Sequence, residues 1–190
     1  MKSAAFPGDP RPVSRLGFGA MGLAGVFGAH TDGELVASVL HALGNGINFI
    51  DTARLYGRSE ELVGRALREW RGPPPFVATK VSVLGPNTKW GRPPPVEEAF
   101  PKGHVRREID LSLKTLGVER IDLMQLHLYW HSWGVEGYWL DELDAARLAG
   151  KVALVGVSLP DHRHDVGLTL VESGRINSVQ TIVNIFDPFA

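Results

Sequence analysis

Short runs rich in apolar residues alternate along this chain with longer stretches in which apolar residues recur every three or four positions. The runs are Val13 to Met21, Ile47 to Ala53, Phe76 to Val81, Ile121 to His127, Val152 to Ser158 and Ser178 to Ile185. Short apolar runs of this kind fit the buried strands of a parallel sheet. The stretches between them predict helices from Asp32 to about Leu43, with Val36, Leu40 and Leu43 on one face, and from Ser59, with Leu62, Ala66 and Leu67 as the stripe. Further helices are expected near 104–116, 138–149 and 165–173. Gly44, Gly117, Gly150 and Gly174 stand where helices end. Asp32 and Ser59 are the expected N-caps, with Glu60 and Glu61 favourably placed in the first turn of the second helix. Residues 1–13 read as an irregular arm or short hairpin turning at Gly8-Asp9-Pro10. A long loop covers 82–103 and an aromatic loop covers 128–135.

Six strands alternating with five helices make a series of βα units with right-handed parallel crossovers. An open doubly wound sheet and a (β/α)8 barrel of the TIM type both fit that order. Asp51, Lys80, His127 and Ser158 stand at the C-terminal ends of successive strands. Only a closed ring gathers all those ends around one mouth, so a barrel is expected. A full barrel takes about 250 residues. These 190 residues hold about six units, read as one domain over 1–190 that is incomplete at its C-terminal end.

Composition narrows the function classes. A formal net charge of −1 gives no electrostatic case for nucleic acid or a membrane surface. With no cysteine, disulfides, thiolate zinc sites and a thiol nucleophile are excluded. No run is long enough to span a bilayer, and the first residues lack a signal-like apolar stretch. A cytoplasmic enzyme is the expectation.

The chemistry centres on Asp51, Tyr56, Lys80 and His127. Singly, each has an ordinary explanation: a turn former, a packing ring, a lysine reaching solvent, a hydrogen-bonded filler. Together they make a proton-transfer site. A phenol has an ordinary pKa near 10, and an adjacent ammonium favours its ionised form. The ammonium needs a counter-charge when buried, which Asp51 supplies. His127 can donate to a carbonyl oxygen and orient it. Tyr56 is then the general acid, with Lys80 tuning it.

The runs INFIDTARLYGRSEELVGRAL, FVATKV, GVERIDLMQLH and GKVALVGVS occur in order and resemble the aldo-keto reductase superfamily over most of residues 15–186. The resemblance implies a (β/α)8 barrel, a nicotinamide cofactor (usually NADPH, with NADH possible) and reduction of small-molecule aldehydes or ketones to alcohols. It maps the family's Asp, Tyr, Lys and His onto Asp51, Tyr56, Lys80 and His127. It also places Gly19, Ala20, Met21, Asp51, Ser158 and Gln180 beside the cofactor. Where members carry a Ser-Asn pair, Ser158 is followed here by Leu159. The family's last two βα units are not represented, nor are the ring that stacks on the nicotinamide and the basic loop for the adenosine 2′-phosphate. An isolated chain is therefore expected to have a bare edge and to be a poor catalyst. The alternative within the same fold is a non-catalytic cofactor-binding or regulatory subunit, of the kind associated with channels.

Three other signals are set aside. Gly17 to Gly22 matches G-x-G-x-x-G but runs into another glycine-rich loop instead of a helix. His127 and His131 have helical zinc spacing in a region that reads as strand then loop, so no metal site is expected. Residues 161–165, DHRHD, read as a solvated turn. Trp90 and Trp130, on loops at the predicted mouth, are the candidate substrate-pocket residues.

Overall fold

The computed structural model describes residues 1–85, 92–186 and 188. A hairpin of β1 (Ser3–Phe6) and β2 (Asp9–Ser14) precedes a six-stranded parallel sheet. The sheet runs in chain order through β3 (Phe18–Gly19), β4 (Phe49–Asp51), β5 (Phe76–Val81), β6 (Ile121–Leu126), β7 (Val152–Ser158) and β8 (Ser178–Gln180). Helices α1 (Asp32–Gly44), α2 (Ser59–Glu69), α4 (His104–Leu116), α5 (Tyr138–Leu148) and α6 (Leu168–Glu172) connect them, with a short α3 (Val96–Ala99) in the loop after β5. Among the described residues β3 and β8 each pair on one side only, so the curled sheet forms a half-barrel.

Strand alternation sorts the side chains onto two faces. Val77 and Val81 of β5, Met124 and Leu126 of β6, and Val155 and Val157 of β7 join the large cluster between sheet and helices. Phe76, Ala78, Leu123 and Leu154 form a second cluster on the inner face, with Val13 of the hairpin. Continuing along that inner face, β4 runs from Phe49 to Asp51 and β5 from Phe76 through Ala78 to Lys80. By the same count β6 runs from Leu123 to Gln125 and then His127, and β7 from Leu154 through Gly156 to Ser158. Parallel register ties these positions across strands: Lys80 with Gln125, Gln125 with Gly156, and Ser158 with Gln180. Each inner row is thus apolar at its N-terminal end and polar at its C-terminal end.

The hairpin covers the apolar end. Phe6 lies 4.9 Å from Phe76, and Phe76 lies 5.1 Å from Phe49, measured between ring centroids. Ser14 N donates to Asn48 Oδ1 at 2.6 Å, and Arg11 pairs with the buried Asp122. With that floor closed, polar chemistry is left to the opposite mouth.

Several boundaries differ from the sequence reading. The hairpin turns at Pro7-Gly8, where Gly8 has φ +89°, and not at Gly8-Asp9-Pro10. The expected strand Val13 to Met21 is divided between β2 and β3, because Ser14 Oγ donates to Leu16 O and turns the chain from the hairpin into the sheet. Thr31, not Asp32, caps α1 in a reciprocal arrangement with Glu34. Ser59 is the buried first residue of α2, and its hydroxyl is engaged elsewhere. A 3₁₀ turn over His164–Gly167 takes up the start of the last expected helix. β8 stops at Gln180, well short of Ile185. Among the described residues it has no second neighbour to extend it, and Ile185 is 86% exposed.

One glycine sets how closely β8 seats. A Cβ on Gly156 would lie 2.7 Å from Ser178 O, a backbone atom with little freedom to yield. Gly156→Ala is expected to lower the urea-unfolding free energy by about 1–3 kcal/mol. An unchanged midpoint would show that β8 does not depend on this contact.

Candidate active site

Lys80 is the polar end of the β5 inner row and is 1% exposed. Its Nζ donates to Asp51 Oδ1 at 2.7 Å and Oδ2 at 2.8 Å, and to the Thr52 carbonyl at 2.9 Å. An apolar run placed this side chain deep, so its charge depends on these oxygens. Asp51 ends the neighbouring strand, where the parallel register brings it beside Ala78. The carboxylate takes a further bond from Gln180 Nε2 at 3.2 Å, and Gln180 Oε1 accepts from Gln125 Nε2 at 3.2 Å.

Tyr56 stands on the turn between β4 and α2, and buried polar contacts fix that turn. Thr52 Oγ1 and Ser59 Oγ are 2.8 Å apart, and Ser59 Oγ donates to Ala20 O at 2.8 Å. Arg54 pairs with Glu60 at 2.9 Å, and Glu60, 2% exposed, accepts from Thr79 Oγ1 at 2.7 Å. The Tyr56 ring therefore has a defined place. Lys80 Nζ lies 5.1 Å from its centroid, and the His127 ring meets it edge-on at 5.4 Å and 82°. All four sequence-predicted catalytic side chains come together at one mouth.

The electrostatics of the phenol run opposite to the sequence expectation. Burial, and then the negative charge of Asp51, push Tyr56 up to about 12. The Lys80 ammonium is shared with Asp51 and the Thr52 carbonyl, and the net shift of the phenol is upward. At neutral pH Tyr56 is a protonated donor, the form that a general acid needs.

The candidate cofactor residues lie along the same rim. Gly19 ends β3 opposite Asp51, with open space where a Cβ would project. Ala20 is buried and Met21 is 44% exposed, both in a 3₁₀ turn over Ala20–Ala24. That turn, in place of an α-helix N-terminus, removes the dinucleotide-fingerprint reading of Gly17 to Gly22. Ser158 and Gln180 are half-buried register partners. Trp130 is buried, with Arg163 5.9 Å from the centre of its ring. Trp90 lies outside the described residues. In the 161–165 turn Arg163 bonds Asp165 and holds its carboxyl below the usual range. A separate groove of about 620 Å³, on the outer face between α4 and α5, shares no residue with this site.

Sequence reasoning missed two contributors. Gln125 stands two residues before His127, on the same face, and that period-two placement was a usable signal. The Arg54–Glu60–Thr79 contacts join three elements and had no local signal.

Comparison with known proteins gives a consistent result. The sequence model described as "Aldo/keto reductase family" matches residues 15–189. A protein named "Probable aldo-keto reductase 1" from Glycine max is 36% identical over 149 residues, covering 77% of this chain and 41% of that protein. A "Probable voltage-gated potassium channel subunit beta" from Arabidopsis thaliana is 33% identical over 120 residues, covering 60% of this chain and 34% of that protein. The solved glycerol dehydrogenase of Gluconobacter oxydans superposes with a TM-score of 0.75 at 31% identity, covering 97% of this chain and 56% of that one. The chain thus spans well under half the length of these two curated relatives.

The phenol can be titrated directly. With isotope-labelled tyrosine, the Tyr56 ring signal is expected to stay in its neutral position past pH 10, the ordinary midpoint of about 10 for a phenol. Asp51→Asn removes a raising charge, so its Tyr56 midpoint is expected below that of the parent. A Tyr56 midpoint at or under the ordinary value, or one unmoved by Asp51→Asn, would contradict this electrostatic account.

Proposed function

The chain belongs to the aldo/keto reductase family, and from that premise we propose that it serves an oxidoreductase that reduces aldehydes or ketones to alcohols. The observation that carries the proposal is the buried Lys80–Asp51 pair with the protonated Tyr56 and His127 gathered beside it. In this reading a carbonyl oxygen lies between the Tyr56 hydroxyl and the His127 ring. As the C=O bond gains an electron pair and becomes an alkoxide, the Tyr56 hydroxyl gives up its proton to that oxygen. His127 orients the carbonyl, and Lys80 limits the cost of leaving a phenolate in a desolvated place. Asp51 keeps the lysine charged.

The residues present suit a nicotinamide. The open space at Gly19 lets a flat ring approach the backbone, and Ser158 and Gln180 offer the donor and acceptor atoms that a carboxamide takes. When bound, that group supplies the hydride. NADPH is the cofactor we favour, with NADH as the alternative. Trp130 would form part of the apolar wall for the substrate, the role that the sequence also suggested for Trp90. Residues 1–190 are read as belonging to one barrel domain.

A second reading is favoured by the likeness to the channel subunit beta: a cofactor-binding regulatory protein in which turnover is incidental. The four converging groups weigh against it, because binding alone does not require a proton donor with a buried ion pair behind it.

Loss of reduced-nicotinamide absorbance with a panel of aldehydes tests the proposal. Turnover is expected to be slow for the 190-residue chain, and Tyr56→Phe is expected to reduce it at least about 100-fold, the scale of general-acid catalysis. Dinucleotide affinity should be unchanged. Equal turnover in Tyr56→Phe would overturn the assignment, and dinucleotide binding with no turnover under any condition would favour the regulatory reading.

A further inference from the structure

We propose that Gln125 is a positioning residue for the Asp51–Lys80 pair, acting through the side-chain amide of Gln180. The inference rests on the reductase reading of the site and adds to it a residue that touches neither substrate nor cofactor.

The hydrogen bonds have only one workable direction. Asp51 Oδ2 is an acceptor, so the Gln180 atom facing it at 3.2 Å must be Nε2. That choice turns Gln180 Oε1 the other way, toward a donor. Gln125 Nε2 is that donor, at 3.2 Å. An amide turned over at Gln180 would set its oxygen against the Asp51 carboxylate. Gln125 therefore reinforces the orientation that Asp51 requires of Gln180, and helps hold the amide where the carboxylate receives a bond besides those from Lys80.

The fold makes this reach possible. Gln125 is on β6 and Gln180 on β8, with β7 between them. The intervening position on the inner face is Gly156, in register with both Gln125 and Ser178. No side chain stands there, so the two amides meet across it. Asp51, Gln125 and Gln180 come from β4, β6 and β8, and alternate strands contribute to one interior layer in barrels of this kind.

Burial adds weight. Gln125 is 2% exposed, and among the described residues its Oε1 has no hydrogen-bond partner. Leaving such an acceptor dry is unfavourable, and an apolar side chain of the same size would avoid the cost. The donor end of Gln125 is what the site uses.

Proton exchange at the Gln180 side-chain amide reports this directly and needs no turnover. In the 190-residue chain that exchange is expected to be slowed about tenfold relative to a free glutamine, the scale of one hydrogen bond. Gln125→Met keeps the volume and removes the donor, so the slowing should be lost while the backbone amides of β6 keep theirs. Gln125→Glu, an acceptor when ionised, provides a second variant and should also change the Gln180 signals. Gln180 exchange unaltered in both variants would overturn the proposal. In turnover, Gln125→Met should lower kcat about tenfold with dinucleotide affinity retained, and should have no further effect in a Gln180→Met background. An undiminished effect in that background would mean that Gln125 does not act through Gln180. Absence of turnover in the parent chain would count against the reductase reading, and amide exchange would still decide the role of Gln125.

Discussion

A lysine ammonium buried in the inner face of a parallel sheet is the constraint from which the site follows. At 1% exposure Lys80 has almost no access to water, and its three donors go to the two oxygens of Asp51 and the carbonyl of Thr52. Desolvating both members of an ion pair offsets much of their attraction, so the pair adds little to stability by itself. Each member alone would be a severe defect. Asp51 and Lys80 thus hold each other in place, and the residues around them are arranged to keep that pair intact beside the Tyr56 ring.

The arrangement grows from strand alternation. One face of β5 reads Phe76, Ala78, Lys80, so the same period that seats a phenylalanine against the hairpin sets a lysine at the other end. β4 does the same with Phe49 and Asp51, and β7 with Leu154 and Ser158. The hairpin seals the apolar end through Phe6 and Val13. The turn carrying Tyr56 is then fixed by buried polar contacts from Thr52, Ser59 and Glu60, which reach the 3₁₀ turn after β3 and strand β5. The result is a phenol that stays protonated, held up by burial and by the neighbouring carboxylate.

Much of this was legible in the sequence. The runs Phe76 to Val81 and Val152 to Ser158 match their strands to the residue, and the helix expected near 104–116 is α4. Strong periodicity makes such elements readable from local pattern alone. The parallel order of strands, and the gathering of Asp51, Tyr56, Lys80 and His127, also followed from acids and bases at strand ends. What was not legible depended on distant partners. The division of Val13 to Met21 hangs on the side chain of Ser14, and the extent of β8 on how many neighbours it has. The direction of the Tyr56 shift was missed because Asp51 was weighed only as the partner of Lys80, without the burial of the phenol itself or the charge of Asp51 acting on it. Gln125 looked like one more buried strand residue until its link to Gln180 was visible.

The central claim is that Lys80 and Asp51 form one mutually dependent unit. A double-mutant cycle on unfolding free energy, with Lys80→Met, Asp51→Asn and the double variant, measures that dependence most directly. Each single change should destabilise by about 3–5 kcal/mol, because it strands the other partner in a buried place. The double variant should cost much less than the sum, with a coupling of about 2 kcal/mol or more. Additive losses, or single variants as stable as the parent, would contradict the account.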